Sequence, residues 1–305
     1  MKVALLSGGV GGARLARGLA GELGDDLTVV VNVGDDHEIY GLEVSPDLDT
    51  VIYTLANQEG PQGWGLAGDS FAAMEQLEGL GEETSFRIGD RDLGTNLFRS
   101  ILLHRGTPLS AVTARIRHRF GLGPAVLPVS DDRVRTRVLT EDGAWRSFQD
   151  YFVLRGHRDE VIDVRFEGAA AAKPAPGVID AIDGADLVLV GPSNPVLSIW
   201  PILAVPGVAE SISSARRVMA VSPLFGGKAL KGPADRVLRS LGFPGGNQGV
   251  AAAYEGLLDD LVIDQGDEDD RSTLEELGLA VHVTDTRMVD APTAERFASR
   301  LLASA

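Results

Sequence analysis

The sequence contains no cysteine among its 305 residues. This absence excludes disulfide bonds, thiolate nucleophiles, iron–sulfur clusters and cysteine-ligated zinc. Histidine is scarce as well: there are five, and none pairs with another at the spacing of zinc ligands. We therefore expect neither a disulfide-stabilised domain nor a zinc site built from histidine.

Basic residues are fewer than acidic ones, and long hydrophobic runs are absent. Lysine and arginine number 28 against 44 acidic residues, which gives a net charge of −16 and argues against a nucleic-acid groove. No stretch approaches the roughly 18 uninterrupted apolar residues of a membrane span. The apolar run Val3–Leu6 is too short for a signal peptide. We expect a cytoplasmic protein with neither nucleic acid nor membrane as a partner.

The N-terminal residues have the pattern of a parallel β-α-β unit. An apolar run over residues 3–6 precedes a glycine-rich segment, and Leu15, Leu19 and Leu23 then recur at helical spacing. A second β-branched run covers residues 27–31. Strand, glycine turn, helix and strand in this order are typical of a parallel sheet.

The same pattern returns in the second half of the chain. Apolar strands are expected over residues 186–190 and 217–221, and continuous apolar runs indicate a sheet covered on both faces. In the middle of the chain, residues 135–140 and 147–154 favour antiparallel hairpins. We predict an α/β fold with a Rossmann-like, doubly wound, mostly parallel core over residues 1–120 and 175–305. A smaller, β-rich insertion is expected over residues 121–174.

The first candidate site is the segment Gly8, Gly9, Val10, Gly11 and Gly12 before the first helix. Glycines let backbone N–H groups approach phosphate oxygens, and a helix N-terminus favours negative charge. The spacing departs from the dinucleotide fingerprint and lacks the lysine of a P-loop. We predict phosphate binding by the four glycines, with a merely tight turn as the alternative.

Two further polar segments follow predicted strands. Asn32, Gly34 and Asp35 come after the second strand, and Ser193 and Asn194 come after the strand that ends at residue 190. Ligands of open α/β sheets bind outside the carboxyl ends of strands. These five residues are therefore predicted to contact a nucleotide or phosphate. The alternative is that they form hydrogen-bonded or proline-stiffened turns.

Asp47 and Asp49 stand two residues apart before an apolar segment. On an extended backbone this spacing aims two carboxylates at one divalent cation, and hard oxygen ligands suit magnesium. The alternative is a capped helix start.

Two basic positions complete the candidates. Arg91 lies in the charged segment over residues 87–93, where an arginine can hold a phosphate through two hydrogen bonds. Lys228 stands beside two glycines and is a candidate for anion binding. A solvated charged turn and a surface loop are the respective alternatives.

The order of the motifs along the chain is more specific than any one of them. Gly-Gly-x-Gly-Gly, Asn-x-Gly-Asp-Asp, Ser-Pro-Asp-Leu-Asp-Thr, Gly-Asp-Arg-Asp-Leu, Phe-Gln-Asp-Tyr and Gly-Pro-Ser-Asn-Pro follow one another between residues 5 and 233. This series resembles the 2-phospho-L-lactate transferase family of coenzyme F-420 biosynthesis. One departure is Ser85-Phe86, where two successive aromatic residues are expected.

The resemblance implies a Rossmann-like core with a smaller second domain, a homodimer and a magnesium ion. It implies transfer of a phospholactyl or phosphoenolpyruvyl group from a guanosine-diphosphate-linked donor to the ribityl hydroxyl of 7,8-didemethyl-8-hydroxy-5-deazariboflavin, with release of GMP. On this resemblance Asp49 and Arg91 bind the deazaflavin, and Asp47 belongs to the same aspartate motif. Either aspartate could hold the metal or take the hydroxyl proton. A non-catalytic regulator of the same superfamily that binds a nucleotide sugar or dinucleotide is the alternative.

Overall fold

The computed structural model describes residues 1–304, and its centre is a seven-stranded sheet. Within these residues the strands are β1 (Val3–Ser7), β2 (Leu27–Val31), β3 (His37–Ile39), β4 (Leu42–Val44), β5 (Ala125–Pro128), β6 (Arg135–Thr140), β7 (Trp145–Ser147), β8 (Val161–Glu167), β9 (Leu187–Val190), β10 (Val218–Val221), β11 (Leu224–Phe225), β12 (Lys228–Ala229), β13 (Asp260–Asp264) and β14 (Ala280–Thr284). The large sheet has the order β14-β13-β10-β9-β1-β2-β5. All of its strand pairs are parallel.

The helices connect these strands and cover the sheet. They are α1 (Gly9–Leu23), α2 (Pro46–Leu55), α3 (Ala72–Gly79), α4 (Asp90–His104), α5 (Leu109–Arg119), α6 (Val178–Asp183), α7 (Trp200–Leu203), α8 (Val208–Ser213), α9 (Ala234–Ser240), α10 (Gly246–Ala253), α11 (Arg271–Glu276) and α12 (Ala291–Ala303). Helix α1 packs against α2 and α12, and α6 packs against α8 and β1. Because strands β1, β9 and β10 are buried at every position, the apolar runs indeed lie inside a covered sheet.

The chain builds this sheet outward in two directions from its middle. The first half adds β2 and β5 on one side of β1, and the second half adds β9, β10, β13 and β14 on the other. The predicted Rossmann-like, doubly wound α/β fold is confirmed. The direction of winding reverses between β1 and β9, and such a switch point opens a crevice at the carboxyl ends of the two strands.

A three-stranded antiparallel sheet with the order β7-β6-β8 covers most of the middle region. Strand β6 matches the predicted run over residues 135–140. The predicted strand over residues 147–154 is wrong, because only Ser147 lies in β7 and Asp150–Leu154 forms a helical turn. Strand β5 falls inside the predicted insertion and pairs with β2 at the edge of the large sheet. The division into 1–120, 121–174 and 175–305 stays a prediction, and β5 indicates that the large sheet reaches at least to residue 128.

None of the helices in residues 1–304 combines the length and the apolar character that crossing a bilayer requires.

Candidate active site

A cleft of about 1010 Å³ opens at the carboxyl ends of β1 and β9. The turn after β1 contributes Gly8, Gly9 and Gly11 to its wall, and the turn after β9 contributes Ser193 and Asn194. The cleft therefore occupies the switch point of the sheet, where ligands of doubly wound folds bind.

The glycine turn needs its glycines for two separate reasons. Gly9 has φ of +64°, which side chains other than glycine rarely adopt. A Cβ atom on Gly11 would lie 2.2 Å from the carbonyl oxygen of Pro192, so only glycine allows the two turns to approach this closely. Helix α1 begins here with neither a side-chain cap nor an acidic residue in its first turn. The Gly9 N–H donates to Asp47, and the N–H groups that follow it in the first turn are arranged to receive an anion.

The turn after β9 holds the Ser193 side chain in place and leaves an N–H donor of Asn194 available. The Ser193 hydroxyl donates to the Gly8 carbonyl at 2.7 Å and so joins the two turns. The Asn194 side-chain oxygen accepts from the N–H groups of Val196 and Leu197. Its Nδ2 atom is buried and has no hydrogen-bond partner in the described chain. An unpaired buried N–H donor at a cleft wall is a suitable contact for a phosphate oxygen.

Asp47 holds the glycine turn against the floor of the cleft. Its two carboxylate oxygens accept from the Gly9 N–H at 2.8 Å and from Asn32 Nδ2 at 3.0 Å. Burial raises the pKa of Asp47 to about 6, and these two hydrogen bonds oppose the shift. Asp35 also lines the cleft, and its Oδ1 atom is buried with no partner among residues 1–304. Burial and the nearby Asp47 raise the pKa of Asp35 well above its usual range.

Asp47 and Asp49 do not face each other. The expectation of an extended backbone around them is wrong, because Pro46 opens helix α2, and a helix starts readily on proline. Residues two apart on a helix point to different sides. Asp49 instead forms a buried ion pair with Arg99 of α4, whose side chain is 1% exposed.

A second acidic group lies beside this ion pair on the cleft wall. Asp92, in the first turn of α4, accepts a hydrogen bond from the Tyr53 hydroxyl at 2.8 Å. Burial and the charge of Asp49 raise the pKa of Asp92 to about 6.

Part of the cleft wall is aromatic. Phe148 and Phe152 stack with their centroids 5.1 Å apart and planes inclined by 14°. Trp64 and Phe71 also line the cleft, and the Arg87 guanidinium stands 5.1 Å from the centre of the Phe71 ring. These side chains suit a flat, conjugated ring system, since aromatic faces pack on one another in offset stacks.

The structure brings most of the candidate residues into this cleft. Gly8, Gly9, Gly11, Asp35, Asp47, Asp49, Ser193 and Asn194 line it. Gly12 packs against Ser7 one residue beyond the turn, and Asn32 acts through Asp47. Gly34 packs against Thr136 outside the cleft. Whether these residues bind substrate stays a prediction.

The two basic candidates lie outside the cleft wall. Lys228 is exposed on strand β12, and Lys231 of the same loop lines the cleft in its place. Arg91 is exposed, and its Nη1 atom donates to the Ala67 carbonyl at 3.2 Å. Arg87 of the same charged segment lines the cleft. In both motifs the sequence identified the segment, but the structure places a neighbouring residue at the wall.

Arg99 and Arg14 are the main residues that the sequence reasoning missed. Arg99 stands fifty positions from its partner Asp49, and no local motif connects them. One signal was available: Asn96, Arg99 and Ser100 have helical spacing and form a polar stripe beside the apolar residues Leu97, Phe98 and Ile101. Arg14 follows the glycine turn directly, lines the cleft and donates to the Met288 carbonyl at 2.8 Å.

Comparison with known proteins identifies the family of the chain. The family described as 2-phospho-L-lactate transferase CofD matches residues 3–301. A phosphoenolpyruvate transferase from Kitasatospora aureofaciens is 41% identical over 315 residues, which cover 100% of this chain and 98% of that protein. A 2-phospho-L-lactate transferase from Methanopyrus kandleri is 41% identical over 306 residues, with 99% and 97% covered.

Among solved structures, a UPF0052 family member from Bacillus halodurans is similar, with a TM-score of 0.67 and 18% identity. The similarity covers 99% of this chain and 98% of that one, and at this identity it supports the fold alone. The sequence matches extend over nearly the whole chain and agree with the series of motifs. The chain therefore belongs to the 2-phospho-L-lactate transferase CofD family.

Proposed function

We propose that this member of a family of phospholactate and phosphoenolpyruvate transferases of F420 biosynthesis joins a phosphate-linked three-carbon acid to a deazaflavin alcohol. The donor is linked to guanosine diphosphate, the acceptor is the ribityl hydroxyl of 7,8-didemethyl-8-hydroxy-5-deazariboflavin, and GMP leaves. The observation that supports the proposal is a single cleft whose wall contains both the glycine turn and several aromatic side chains.

The glycine-turn side of the cleft fits the diphosphate of the donor. The first turn of α1 and the Asn194 Nδ2 atom offer N–H donors, and the Lys231 ammonium group lines the same cleft. Transfer at phosphorus depends mostly on positioning and on neutralisation of charge. A protein with a net charge of −16 must concentrate such groups locally to bind a diphosphate.

The aromatic part of the wall fits the deazaflavin ring. Phe148, Phe152 and Trp64 can stack on a flat heterocycle, and Asp49 and the glycine turn line the same cleft. We propose that a ring held there directs its ribityl chain toward the donor phosphates. Stacked aromatic pairs contribute about 0.5–1.5 kcal/mol beyond the area that they bury.

We also propose that a magnesium ion acts beside the donor phosphates. The described residues contain no cluster of three or more acidic or histidine side chains at metal-binding distance. Magnesium commonly needs only one or two carboxylates together with substrate phosphates. Asp35 and Asp47 fit this requirement, because both line the cleft and the buried Asp35 Oδ1 atom is free to accept a ligand. The ion would neutralise charge on the phosphates, while Asp49 stays paired with Arg99.

The proposal is tested by mixing purified protein, magnesium and deazaflavin alcohol with each of the two synthetic donors, the lactyl and the enolpyruvyl form. Mass spectrometry should detect a phosphodiester product and an equal amount of GMP with at least one donor. Omission of magnesium should abolish the product. Binding of nucleotide without turnover of either donor, beside an active relative, would instead support a regulatory protein.

We further propose that the protein is a homodimer. Light scattering on the purified chain, whose mass is 32.2 kDa, should give twice that value. A monomeric mass at assay concentrations would contradict this.

A further inference from the structure

Asp92 has an uncommitted carboxylate oxygen at the wall of the cleft. Its Oδ1 atom accepts from the Tyr53 hydroxyl and, at 3.4 Å, from Asn96 Nδ2. No protein group in residues 1–304 donates to Oδ2. The Asp92 backbone N–H is itself held by Asp69 at 3.1 Å, so the first turn of α4 fixes the position of the carboxylate.

Two other carboxylates of the cleft, those of Asp47 and Asp49, are less suited to accept a proton from an alcohol. Asp47 already receives an N–H donor on each oxygen. Asp49 is paired with the buried guanidinium of Arg99, and an adjacent cation makes a carboxylate a weaker base. The partners of Asp92 are a neutral phenol and a neutral amide, which leave it more basic.

Tyr53 connects the two acidic groups. Its ring is buried on the inner face of α2, its hydroxyl donates to Asp92, and it stands one helical turn after Asp49. Asp49 and Asp92 thus border the same part of the cleft from two helices. An acceptor hydroxyl held near Asp49 comes within reach of Asp92.

On the basis of the proposed function, we propose that Asp92 is the general base that removes the proton from the acceptor hydroxyl. The hydroxyl oxygen forms a bond to the phosphorus that carries the three-carbon acid. The bond from that phosphorus to the bridging oxygen breaks, and GMP leaves with the electron pair. The hydroxyl proton moves to Asp92 Oδ2 and then to solvent, so that atoms and charge balance.

Asp92→Asn is the first test, because asparagine keeps an acceptor for the Tyr53 hydroxyl. We expect turnover to fall by about a hundredfold or more, the contribution of a positioned general base. Acceptor affinity, measured by titration of deazaflavin fluorescence, should stay at the wild-type value. Glu75→Gln is the matched control. Glu75 is exposed on α3, and its substitution removes the same charge at a position outside the cleft lining.

Chemical rescue separates a base from a structural residue. Asp92→Ala should lose turnover, and added formate should restore part of it by supplying a carboxylate in the vacated space. Formate should not accelerate the wild-type enzyme or the Glu75→Gln variant. Circular dichroism confirms that each variant is folded.

The outcomes distinguish two failures. A wild-type protein that turns over neither donor would refute the proposed function itself. An active wild type together with Asp92→Asn at full rate, or with Asp92→Ala that formate does not rescue, would refute only the role of Asp92. A change confined to acceptor KM would assign Asp92 to binding and likewise overturn the proposal.

Discussion

The ion pair between Asp49 and Arg99 determines how Asp49 can be tested. Both side chains are almost fully buried, and the Arg99 Nε atom has no hydrogen-bond partner in the described chain. Removal of one member of such a pair leaves an uncompensated charge in the protein interior. A substitution at Asp49 therefore affects stability as well as any role in acceptor binding. The sequence alone suggested only the small cost of losing a helix cap.

We expect Asp49→Asn to lower the free energy of unfolding by about 3 kcal/mol, the lower end for breaking a buried pair. Turnover should fall by at least about a hundredfold, because Asp49 positions the acceptor hydroxyl and a misplaced reactant can cost that much. Urea denaturation and steady-state rates measure the two effects. The double variant Asp49→Asn with Arg99→Gln should lose less unfolding free energy than the two single variants lose together. Strict additivity would show that the two residues do not interact.

At the residue scale, the sequence identified acids and glycines through short motifs but could not assign their partners. Asp47 was found within its motif, and its bonds to Gly9 and Asn32 depend on how β1, β2 and α2 pack. Arg99 and Asp49 come from different helices. Such pairs arise from tertiary packing, which local spacing does not encode.

Helix α4 shows why the element scale was harder to predict. Its buried face carries Asn96, Arg99 and Ser100, while Leu97 and Ile101 are 48% and 41% exposed. Apolar periodicity would place these leucine and isoleucine residues inside. The polar face turns inward because Arg99 pairs with Asp49, which lines the cleft. This buried polar face is therefore a sign of the candidate site. A prediction made from the apolar residues of the helix alone does not find it.

Two loops meet across the mouth of the cleft. The Lys231 ammonium group donates to the Gln62 carbonyl at 2.9 Å and stands 5.7 Å from the centre of the Trp64 ring. The loop over residues 226–232, which we call the lysine loop, is anchored by Asp267. The Asp267 carboxylate accepts from the N–H groups of Gly226 and Gly227. The lysine loop can therefore hold a charge at the cleft while its tip remains exposed.

We expect Lys231→Ala to raise the donor KM by about tenfold, which corresponds to losing one hydrogen bond to a charged group. Lys228→Ala should have a much smaller effect, because Lys228 is exposed outside the cleft wall. Steady-state kinetics with the donor varied at saturating acceptor compares the two variants. A larger effect at Lys228 would restore the residue that the sequence favoured and would show that this loop moves on binding.

At the scale of the whole molecule the sequence was most informative. Runs such as Val3–Ser7 and Leu187–Val190 are continuous and apolar, and a strand buried on both faces requires this. The right-handed connection of parallel strands through helices then limits the possible topologies to a few. The position of β5 was not evident, because residues 125–128 precede the antiparallel sheet directly and resemble its strands in length.

Several buried acids make the stability of the whole molecule depend on pH in an uncommon direction. Burial raises the pKa of Asp36 to about 7 and the pKa values of Asp47 and Asp92 to about 6. In the unfolded chain these groups titrate near 3.8. Between these values the folded protein binds more protons than the unfolded chain. Its free energy of unfolding therefore falls as the pH rises through this window.

We expect the ligand-free protein to lose at least about 2 kcal/mol of stability between pH 5 and pH 8, since a tenfold change in an acid dissociation constant on folding corresponds to about 1.4 kcal/mol. Asp36→Asn should reduce this slope, because asparagine keeps an acceptor for the Ser45 hydroxyl but cannot ionise. Magnesium with a donor analogue should also reduce the slope, because a cation beside Asp35 and Asp47 favours their ionised forms. Urea denaturation at several pH values measures all three. Stability that is flat or increases over this range would show that other protein groups already compensate the charge of the buried acids. Asp35 and Asp47 would then need no cation to stay ionised.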